Sequence, residues 1–389
     1  MSMRILVDYR PALRARTGVG EWIHHLVRTV IRLPDHLAAA RSVSLFVSSW
    51  KDRPLLEARD DLAGAEFIDR RIPVRVLTWA WHRVGWPTVE RLSGRTFDVA
   101  FSPTPMLLPS RAPLRVVTVH DLDFLAHPER TRGEMRRDYP ALVARHTREA
   151  DLVVTISHFT ASEARRVLEI PAERMVVVRP GVPDWVTATQ SRLDGRPTPS
   201  GGYILFVGTL EARKNVAGLL DAYARLVTRM PDAPRLVLAG GPTPDSAGWL
   251  ARAAEGPAAG RIDARGYILP ADRAALYAGA AMLVLPSYME GFGLPVLEAM
   301  ALGVPVVVST HGALPEVAGA AGLHVQPDDT GGLAEAMSRV LHEPGLAAAM
   351  RERGAAQARQ FSWEQSAATL VEAFADGLRR NRDECPGSE

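Results

Sequence analysis

Short apolar, β-branched runs alternate with longer amphipathic patterns along nearly all of this 389-residue chain. Parallel strands need a crossover connection, usually a helix, so the alternation predicts parallel β-sheets with helices on both faces. The predicted fold class is therefore α/β. The candidate strands are residues 4–9, 44–49, 97–102, 115–120, 152–157 and 174–179 in the first half, and 203–208, 235–239, 262–267, 282–286, 304–309 and 323–326 in the second.

A polar, proline-bearing stretch at residues 186–202 separates the two groups of strands and shows no helical or strand periodicity. It predicts a linker between two Rossmann-like, doubly wound domains, residues 1–185 and 203–360. Ligands of open α/β sheets bind beyond the carboxyl ends of the strands, so the two domains are expected to face each other across a cleft. Residues 361–389 are expected to form an amphipathic helix and a polar tail.

The composition is that of an ordinary globular protein, with 47% hydrophobic and 23% charged residues and a net charge of +2. This balance gives no support for binding to nucleic acid. The single cysteine, Cys385, excludes an intramolecular disulfide and a thiolate metal cluster, which favours a reducing compartment. The amino terminus does not have the pattern of a signal peptide, and no apolar run approaches the ~20 residues that span a bilayer. A cytoplasmic protein, or one at the inner face of the membrane, is expected.

Two glutamates, Glu290 and Glu298, frame a glycine-rich turn between a predicted strand and a helix that has Pro295 in its first turn. Glycine lets a backbone approach a ligand closely, and the unpaired N–H groups at a helix start favour a phosphate. Carboxylates are poor neighbours for phosphate, but they accept hydrogen bonds from adjacent sugar hydroxyls. The combination predicts a nucleotide-sugar site, although each acid alone is explained as well by a solvated loop or a favourable helix-start charge.

Two adjacent cations, Arg213 and Lys214, follow the predicted strand 203–208 and precede a helical pattern. A nucleoside diphosphate that departs as a glycosidic bond breaks gains negative charge, which positioned cations stabilise. A pair of solvent-facing bases is the simpler interpretation of such a motif alone. Cations oppose the dipole at a helix start, however, so their position favours a bound anion.

In the first half, Gly18 lies in a glycine-containing loop before a helical pattern, and His120 ends the predicted strand 115–120. Neither feature is specific alone, since a plain turn or a packed, neutral histidine explains it as well. The run Asp121-Leu122-Asp123 matches a short pattern by which some transferases bind a divalent metal, but three-residue matches are common.

Segment 286–307, which contains the two glutamates, closely resembles the signature of family 4 retaining glycosyltransferases of the GT-B fold. The run 208–215, Gly-Thr-Leu-Glu-Ala-Arg-Lys-Asn, and the sequence His-Asp-Leu at 120–122 resemble two further motifs of that family. Many relatives carry arginine at the position of Thr209, so this chain departs from the pattern there. The resemblance implies that residues 1–185 bind the acceptor and that residues 203–360 bind the nucleotide-sugar donor. The family's last helix commonly crosses back to the first domain, which is the expectation for residues 361–389.

The resemblance implies a role for each candidate residue. Glu290 and His120 orient the donor sugar, and they form the candidate catalytic set together with Arg213 and Lys214, which hold the diphosphate. Glu298 holds the ribose. The other candidate substrate-binding residues lie in the glycine loops and at the helix start, and they are Gly18, Gly208, Thr209, Phe292, Gly293 and Leu294.

The implied activity is retaining transfer of a hexose from a nucleotide-diphosphate sugar to a hydroxyl acceptor in polysaccharide or glycolipid assembly. No residue stands out as a covalent nucleophile, so the leaving phosphate itself is expected to draw off the acceptor proton. No cofactor and no metal are expected, because Arg213 and Lys214 already supply positive charge. Residues 8–20 resemble bacterial mannosyltransferases of surface-polysaccharide assembly, which makes GDP-mannose the first choice of donor and a UDP-sugar the second.

Two other functions compete with this interpretation. A dinucleotide-dependent dehydrogenase or epimerase requires G-x-G-x-x-G directly after a strand, and the first predicted strand is not followed by it. A non-catalytic sugar-nucleotide sensor does not need the catalytic residues. This chain has both acids and both bases, which argues against a sensor. Slow hydrolysis of the donor separates a transferase from a sensor.

The stretch 69–86 mixes arginine with tryptophan, as interfacial membrane segments do. Such a segment suits an enzyme with a lipid-linked acceptor. An amphipathic helix whose tryptophans pack on the first domain explains the same pattern, and the sequence favours it slightly.

Overall fold

The computed structural model describes residues 2–13, 18–52, 56–127, 138–193 and 202–384. The chain divides into two compact units. The first comprises Met1–Gly181 with Ser362–Glu389, and the second is Val182–Phe361.

The first unit contains a seven-stranded sheet in the order β3-β2-β1-β4-β5-β6-β7, in which every pair of neighbours is parallel. Two of its strands, β4 and β6, are buried along their whole length, because helices cover both faces of such a sheet. Its strands are β1 Met3–Asp8, β2 Arg41–Phe46, β3 Glu66–Ile68, β4 Val99–Ser102, β5 Leu114–Val119, β6 Leu152–Thr155 and β7 Met175–Val177.

The helices of the first unit connect successive strands. Their bounds are α1 Gly18–Arg32, α2 Leu56–Asp61, α3 Val74–Val84, α4 Val89–Ser93, α5 Asp123–Ala126, α6 Tyr139–Glu149 and α7 His158–Leu168, with 3₁₀ turns at Arg10–Ala12 and Ala172–Arg174.

The second unit contains a six-stranded parallel sheet in the order β10-β9-β8-β11-β12-β13. Its strands are β8 Tyr203–Val207, β9 Leu236–Ala239, β10 Ile262–Gly266, β11 Ala280–Leu285, β12 Val306–Ser309 and β13 Leu323–Val325. Its helices are α8 Asp184–Leu193, α9 Val216–Arg229, α10 Pro244–Glu255, α11 Pro270–Ala278, α12 Leu294–Ala301, α13 Leu314–Ala318, α14 Thr330–His342 and α15 Leu346–Ala358, with 3₁₀ turns at Ala212–Lys214 and Gly319–Ala321.

Two parallel sheets with alternating helices confirm the predicted α/β class. Each of the twelve predicted strands overlaps an observed one. The strand that the sequence did not predict is β3, whose three residues lie at the edge of the first sheet and include the exposed Glu66. So short an edge strand carries too little apolar pattern to be recognised.

The segment 186–202, predicted to have no periodic structure, begins inside a helix, α8. That prediction was wrong for the described part of the segment. The helix is polar by sequence, but Val186 is fully buried and the Trp185 ring lies 5.8 Å from that of Tyr277. Packing within the second unit therefore stabilises this helix, which the polar composition of the segment does not predict. Residues 194–201 lie outside the described part of the chain.

The last helix, α16 Trp363–Glu384, belongs to the first unit although the second unit precedes it in sequence. It packs against α1, where the rings of Trp363 and His25 stack with centroids 5.3 Å apart. Further along, Phe374 meets Phe101 of β4 edge to face at 5.6 Å. The predicted tail with Cys385 lies outside the described residues. Among the described helices, none is both long enough and apolar enough to cross a membrane.

Candidate active site

Glu290 lies in the loop after β11, and its side chain is almost completely buried. The ammonium Nζ of Lys214 donates to its Oε1 at 2.5 Å, and the hydroxyl of Ser287 donates to the same oxygen at 2.9 Å. Its other oxygen, Oε2, lies 3.4 Å from Nη1 of Arg213. Three of the predicted catalytic residues are therefore in direct contact within the second unit.

The environment of Glu290 has opposing effects on its pKa. Burial raises the pKa, but Lys214 and Arg213 attract the carboxylate and the hydrogen bonds from Lys214 and Ser287 favour the charged form, so the net result is a pKa of about 2. Glu290 is ionised at neutral pH and accepts hydrogen bonds only.

The side chain of Lys214 reaches Glu290 by passing over the backbone of Gly208, where no Cβ blocks its path. A Cβ on Gly208, whose φ is +147°, would lie 2.8 Å from both Cδ and Cε of Lys214. The aliphatic stem of the lysine therefore passes directly over Gly208. The next residue, Thr209, is exposed.

Asn215 fixes the 3₁₀ turn that carries the two cations. It adopts the left-handed conformation with φ 53°, and its side-chain oxygen caps α9 by accepting from the N–H of Gly218 at 3.2 Å. Its amide nitrogen donates to the carbonyls of Pro286 and Pro327 at 3.2 and 2.7 Å. One side chain thus ties the cation turn to the loop that carries Glu290.

Arg213 is held by acceptors on several sides. Its Nη1 donates to the carbonyl of Met289 at 2.7 Å, and its Nη2 donates to Glu211 at 2.9 Å. Its own carbonyl accepts from the N–H of Tyr288 at 2.8 Å. The guanidinium is consequently more constrained than the ammonium of Lys214, which has three protons and uses one of them on Glu290.

Gly312 supports Glu290 from the loop after β12, a contact that sequence reasoning missed. Its φ is +66°, and a Cβ there would lie 2.7 Å from both the backbone N and the O of Glu290. The carbonyl of Glu290 accepts from the N–H of Ala313 at 2.9 Å. Both the conformation and the close approach require glycine.

Glu298 lies inside α12 and is buried. The hydroxyl of Tyr277 donates to its Oε2 at 2.5 Å. Burial, and then the nearby charge of Glu298, raise the pKa of Tyr277 well above its ordinary value, so its proton remains available for this bond. Tyr277 is a second contact that sequence reasoning missed, because it stands 21 residues away on α11.

The turn that starts α12 has the predicted geometry. Gly293 has φ +106°, and a Cβ on it would lie 2.6 Å from Cδ2 of Leu314. Leu294 is the first helical residue, followed by Pro295. The side chain of Phe292 is buried against Phe361, with ring centroids 5.6 Å apart, so only its backbone is left for the predicted contact with a ligand. Pro295 has no N–H, and the N–H groups of Val296 and Leu297 donate to the carbonyl of Gly293 at 2.9 and 3.4 Å, so a bound anion would meet the backbone N–H groups of Gly293 and Leu294.

The first unit carries the other two candidates. His120 follows β5, and its Nε2 lies 2.9 Å from the carbonyl of Pro103. Burial lowers its pKa, opposed by the Pro103 bond and by Asp121, so the ring is neutral at pH 7. A carbonyl can only accept, hence Nε2 carries the proton and Nδ1 is the acceptor. The ring also meets Trp22 edge to face at 5.0 Å.

Gly18 is the first residue of α1 and is exposed. Residues 14–17 of the same loop lie outside the described part of the chain. The roles predicted for Gly18 and His120 therefore stay predictions, as do those of Thr209 and Glu298 toward the donor.

Two family models match the chain, one on each unit. The model described as "Glycosyltransferase Family 4" matches residues 26–185, and the model "Glycosyl transferases group 1" matches residues 201–343. Among curated proteins, O-antigen chain mannosyltransferase B of Escherichia coli is 32% identical, over 96% of this chain and 99% of its own length. A D-inositol 3-phosphate glycosyltransferase of Rhodococcus opacus is 33% identical, over 60% of this chain and 52% of its own length. The chain belongs to the family 4 glycosyltransferases.

Solved structures agree on the fold. Sucrose-phosphate synthase from Thermosynechococcus elongatus aligns with a TM-score of 0.70 and 20% identity, over 97% of this chain and 99% of its own. The Anabaena protein HepE, solved with UDP-glucose, aligns with a TM-score of 0.70 and 17% identity, over 96% of this chain and the whole of its own. The predicted GT-B type of α/β fold, with two Rossmann-like halves, is confirmed.

Proposed function

We propose that this protein is a retaining, metal-independent hexosyltransferase that moves mannose from GDP-mannose to a hydroxyl of a growing saccharide. The observation that carries the proposal is the buried cluster of Glu290, Lys214 and Arg213 beyond the carboxyl ends of β8 and β11. A cluster of fixed charges in a dehydrated site stabilises developing charge without reorganising during the reaction.

The cations of this site interact with the leaving diphosphate, and its carboxylates interact with the sugar and ribose hydroxyls. Lys214 and Arg213 neutralise the diphosphate as it departs, with help from the N–H groups around Phe292, Gly293 and Leu294. Glu290, ionised and fixed by both cations, accepts hydrogen bonds from sugar hydroxyls. Glu298, held by Tyr277, takes the ribose hydroxyls. His120 positions the sugar through its neutral ring, and the Gly18 loop adds backbone contacts to the phosphates.

Two fixed cations provide the charge that a metal ion provides in other transferases. This supports a metal-independent reaction. Family membership supports retention, with the leaving phosphate as the base for the acceptor hydroxyl.

The choice of mannose rests on the Escherichia coli mannosyltransferase, which matches nearly the whole chain. A UDP-sugar is the alternative donor, and HepE, whose structure holds UDP-glucose, shares the fold. Thermal shift against GDP, UDP and ADP separates the bases, since a ligand of the folded state raises the melting temperature according to its affinity. We expect the largest shift with GDP. A larger shift with UDP overturns the choice of donor.

The same donor, incubated with EDTA-treated protein and an acceptor, tests the reaction itself. NMR of the product is expected to show that the transferred sugar keeps the anomeric configuration that it has in the donor. The rate of transfer is expected not to rise when Mg²⁺ is added. Binding of nucleotide without any release of free or transferred sugar would instead identify a sensor.

Peripheral membrane contact through α3 is part of this proposal. Trp81 is buried, but Trp79 and Trp86 are 63% and 55% exposed, next to the exposed Val84 and Arg83. We call Trp79, Arg83 and Val84, together with Trp86 just beyond the end of the helix, the α3 face. Exposed tryptophan beside arginine fits the interface of an anionic bilayer at the inner face of the membrane, where a lipid-linked acceptor would lie.

We expect co-sedimentation with phosphatidylglycerol vesicles at low salt, and a several-fold loss in the variant Trp79→Ser/Trp86→Ser. The control is Leu37→Ser, which removes an apolar side chain that is 48% exposed elsewhere on the first unit. If both variants co-sedimented with the vesicles to the same extent as the parent protein, the α3 face would not contact lipid.

A further inference from the structure

Arg213 lies between two carboxylates, and only one of them has a role in the proposed mechanism. Its Nη1 lies 3.4 Å from Oε2 of Glu290, to which that mechanism assigns the sugar hydroxyls. Its Nη2 donates to Oε1 of Glu211 at 2.9 Å, which makes Glu211 the closer of the two anions. The guanidinium proposed to bind the diphosphate is therefore already in contact with a carboxylate that has no assigned role.

The backbone of Glu211 is fixed, whereas its carboxylate is not. Glu211 precedes the 3₁₀ turn that carries the two cations, and its carbonyl accepts from the N–H of Lys214 at 3.1 Å. Its own N–H donates to the carbonyl of Thr209 at 2.8 Å. The side chain is 35% exposed, compared with 10% for that of Glu290. A change of rotamer therefore carries the carboxylate from Arg213 into water without moving the turn.

The four charged side chains that are in contact here cancel. Arg213 and Lys214 are the two cations, and Glu211 and Glu290 are the two anions. A diphosphate bound to Arg213 would lie close to the carboxylate of Glu211, and like charges at such a distance repel each other. Glu211 therefore opposes the binding of the same anion that Arg213 attracts.

The pair of Glu211 and Arg213 is weak enough to be exchanged for a phosphate. Partly exposed ion pairs contribute little, because water screens them. A phosphate has more charge than a carboxylate and matches the planar guanidinium equally well, so it is the stronger partner for Arg213. The pair of Lys214 and Glu290 is buried on both sides, so the exchange is confined to the exposed pair.

We infer that Glu211 is a counter-ion that the diphosphate displaces from Arg213, and that it lowers the affinity for nucleotide and so speeds release of the product nucleoside diphosphate. The inference rests on the proposed transferase function and adds the residue that sets how tightly the leaving group is held. When the product leaves, the carboxylate of Glu211 returns to Arg213. Product release limits the turnover of many enzymes, so a less tightly held product favours turnover.

Glu211→Gln tests the role of this charge, because glutamine keeps the length of the side chain and an oxygen that can accept from Arg213. Calorimetric titration uses GDP or UDP, whichever the parent protein binds more tightly. We expect Glu211→Gln to bind that nucleotide about five- to tenfold more tightly than the parent, because the repulsion is removed. The corresponding nucleoside, which has no phosphate, is expected to bind equally to both proteins.

The sign of this effect separates two roles of Glu211. If Glu211 only held Arg213 in place, Glu211→Gln would bind the nucleotide less tightly than the parent or equally tightly, and either result overturns the inference. Glu211→Asp keeps the negative charge, so its affinity is expected to stay within about twofold of the parent. The gain in Glu211→Gln is expected to shrink as salt is raised, because ions screen partly exposed charges.

Glu343→Gln is the matched control, because it makes the same change of charge in an ion pair of α14 and the residue that follows it. Glu343 accepts from Nε of Arg339 at 2.9 Å, and both side chains are 46% exposed. We expect its affinity for the nucleotide to equal that of the parent. An equal gain in Glu343→Gln and Glu211→Gln would assign the effect to the net charge of the protein and overturn the inference.

Kinetic assays test the consequence for turnover. Glu211→Gln is expected to lower the donor KM and to strengthen inhibition by the product nucleotide by the same factor, while kcat does not rise. Transfer by Glu211→Gln with unchanged product inhibition overturns the inference and leaves the proposed function in place. A parent protein that binds neither GDP nor UDP overturns both.

Discussion

Substitution of Lys214 by methionine is expected to lower kcat by about 100- to 1,000-fold, the usual effect of removing one fixed group that stabilises transition-state charge. Methionine keeps most of the length of the side chain over Gly208 and removes only the ammonium. The same change leaves the buried carboxylate of Glu290 without its nearest partner, at a cost of about 3–5 kcal/mol in the free energy of unfolding. Initial rates at saturating donor and urea unfolding measure the two effects separately.

The double variant Lys214→Met/Glu290→Gln separates catalysis from stability. It removes both buried charges, so most of the lost stability should return, while transfer should stay as low as in the single variant or lower. Lys51→Met is the matched control, because Lys51 is exposed and is the other lysine among the chain's two. A single variant with more than a tenth of the parental kcat would exclude the role of Lys214 at the leaving diphosphate.

The fold was largely predictable because each strand is recognised from the residues of its own short segment. Parallel strands buried on both faces are continuous apolar runs, and β11 shows this plainly, with five of its six residues buried. The motif residues Glu290, Arg213 and Lys214 were predictable for a related reason: each lies in the loop after a strand, and the carboxyl ends of neighbouring strands meet at one edge of the sheet.

The supporting contacts were not predictable, because they depend on packing between distant elements. Nothing near Tyr277 in the sequence indicates that its hydroxyl reaches Glu298, and nothing near Gly312 indicates that it lies against the backbone of Glu290. The tryptophans of 69–86 show the same limit. Their separation into a buried Trp81 and an exposed Trp79 follows from the orientation of α3 on the sheet, which the pattern alone does not give.

Gly312→Ala is expected to reduce kcat by at least about 100-fold, although the residue touches no substrate in the proposed mechanism. An alanine Cβ would lie 2.7 Å from the backbone N and O of Glu290, which is too close for any contact, and these are backbone atoms that cannot rotate away. The loop carrying Glu290 must therefore shift. A displacement of about 1 Å in a catalytic group is enough to cost ~100-fold.

Gly303→Ala isolates this effect from ordinary backbone strain. Gly303 has φ +70°, close to the +66° of Gly312, but a Cβ there meets nothing within 4 Å. Both substitutions therefore incur the ~1–2 kcal/mol cost of a left-handed alanine, and only Gly312→Ala disturbs Glu290. We expect Gly303→Ala to lose stability while keeping kcat within about twofold. If the two variants lost activity equally, strain alone would explain the loss, and the position of the Glu290 backbone would not limit the rate.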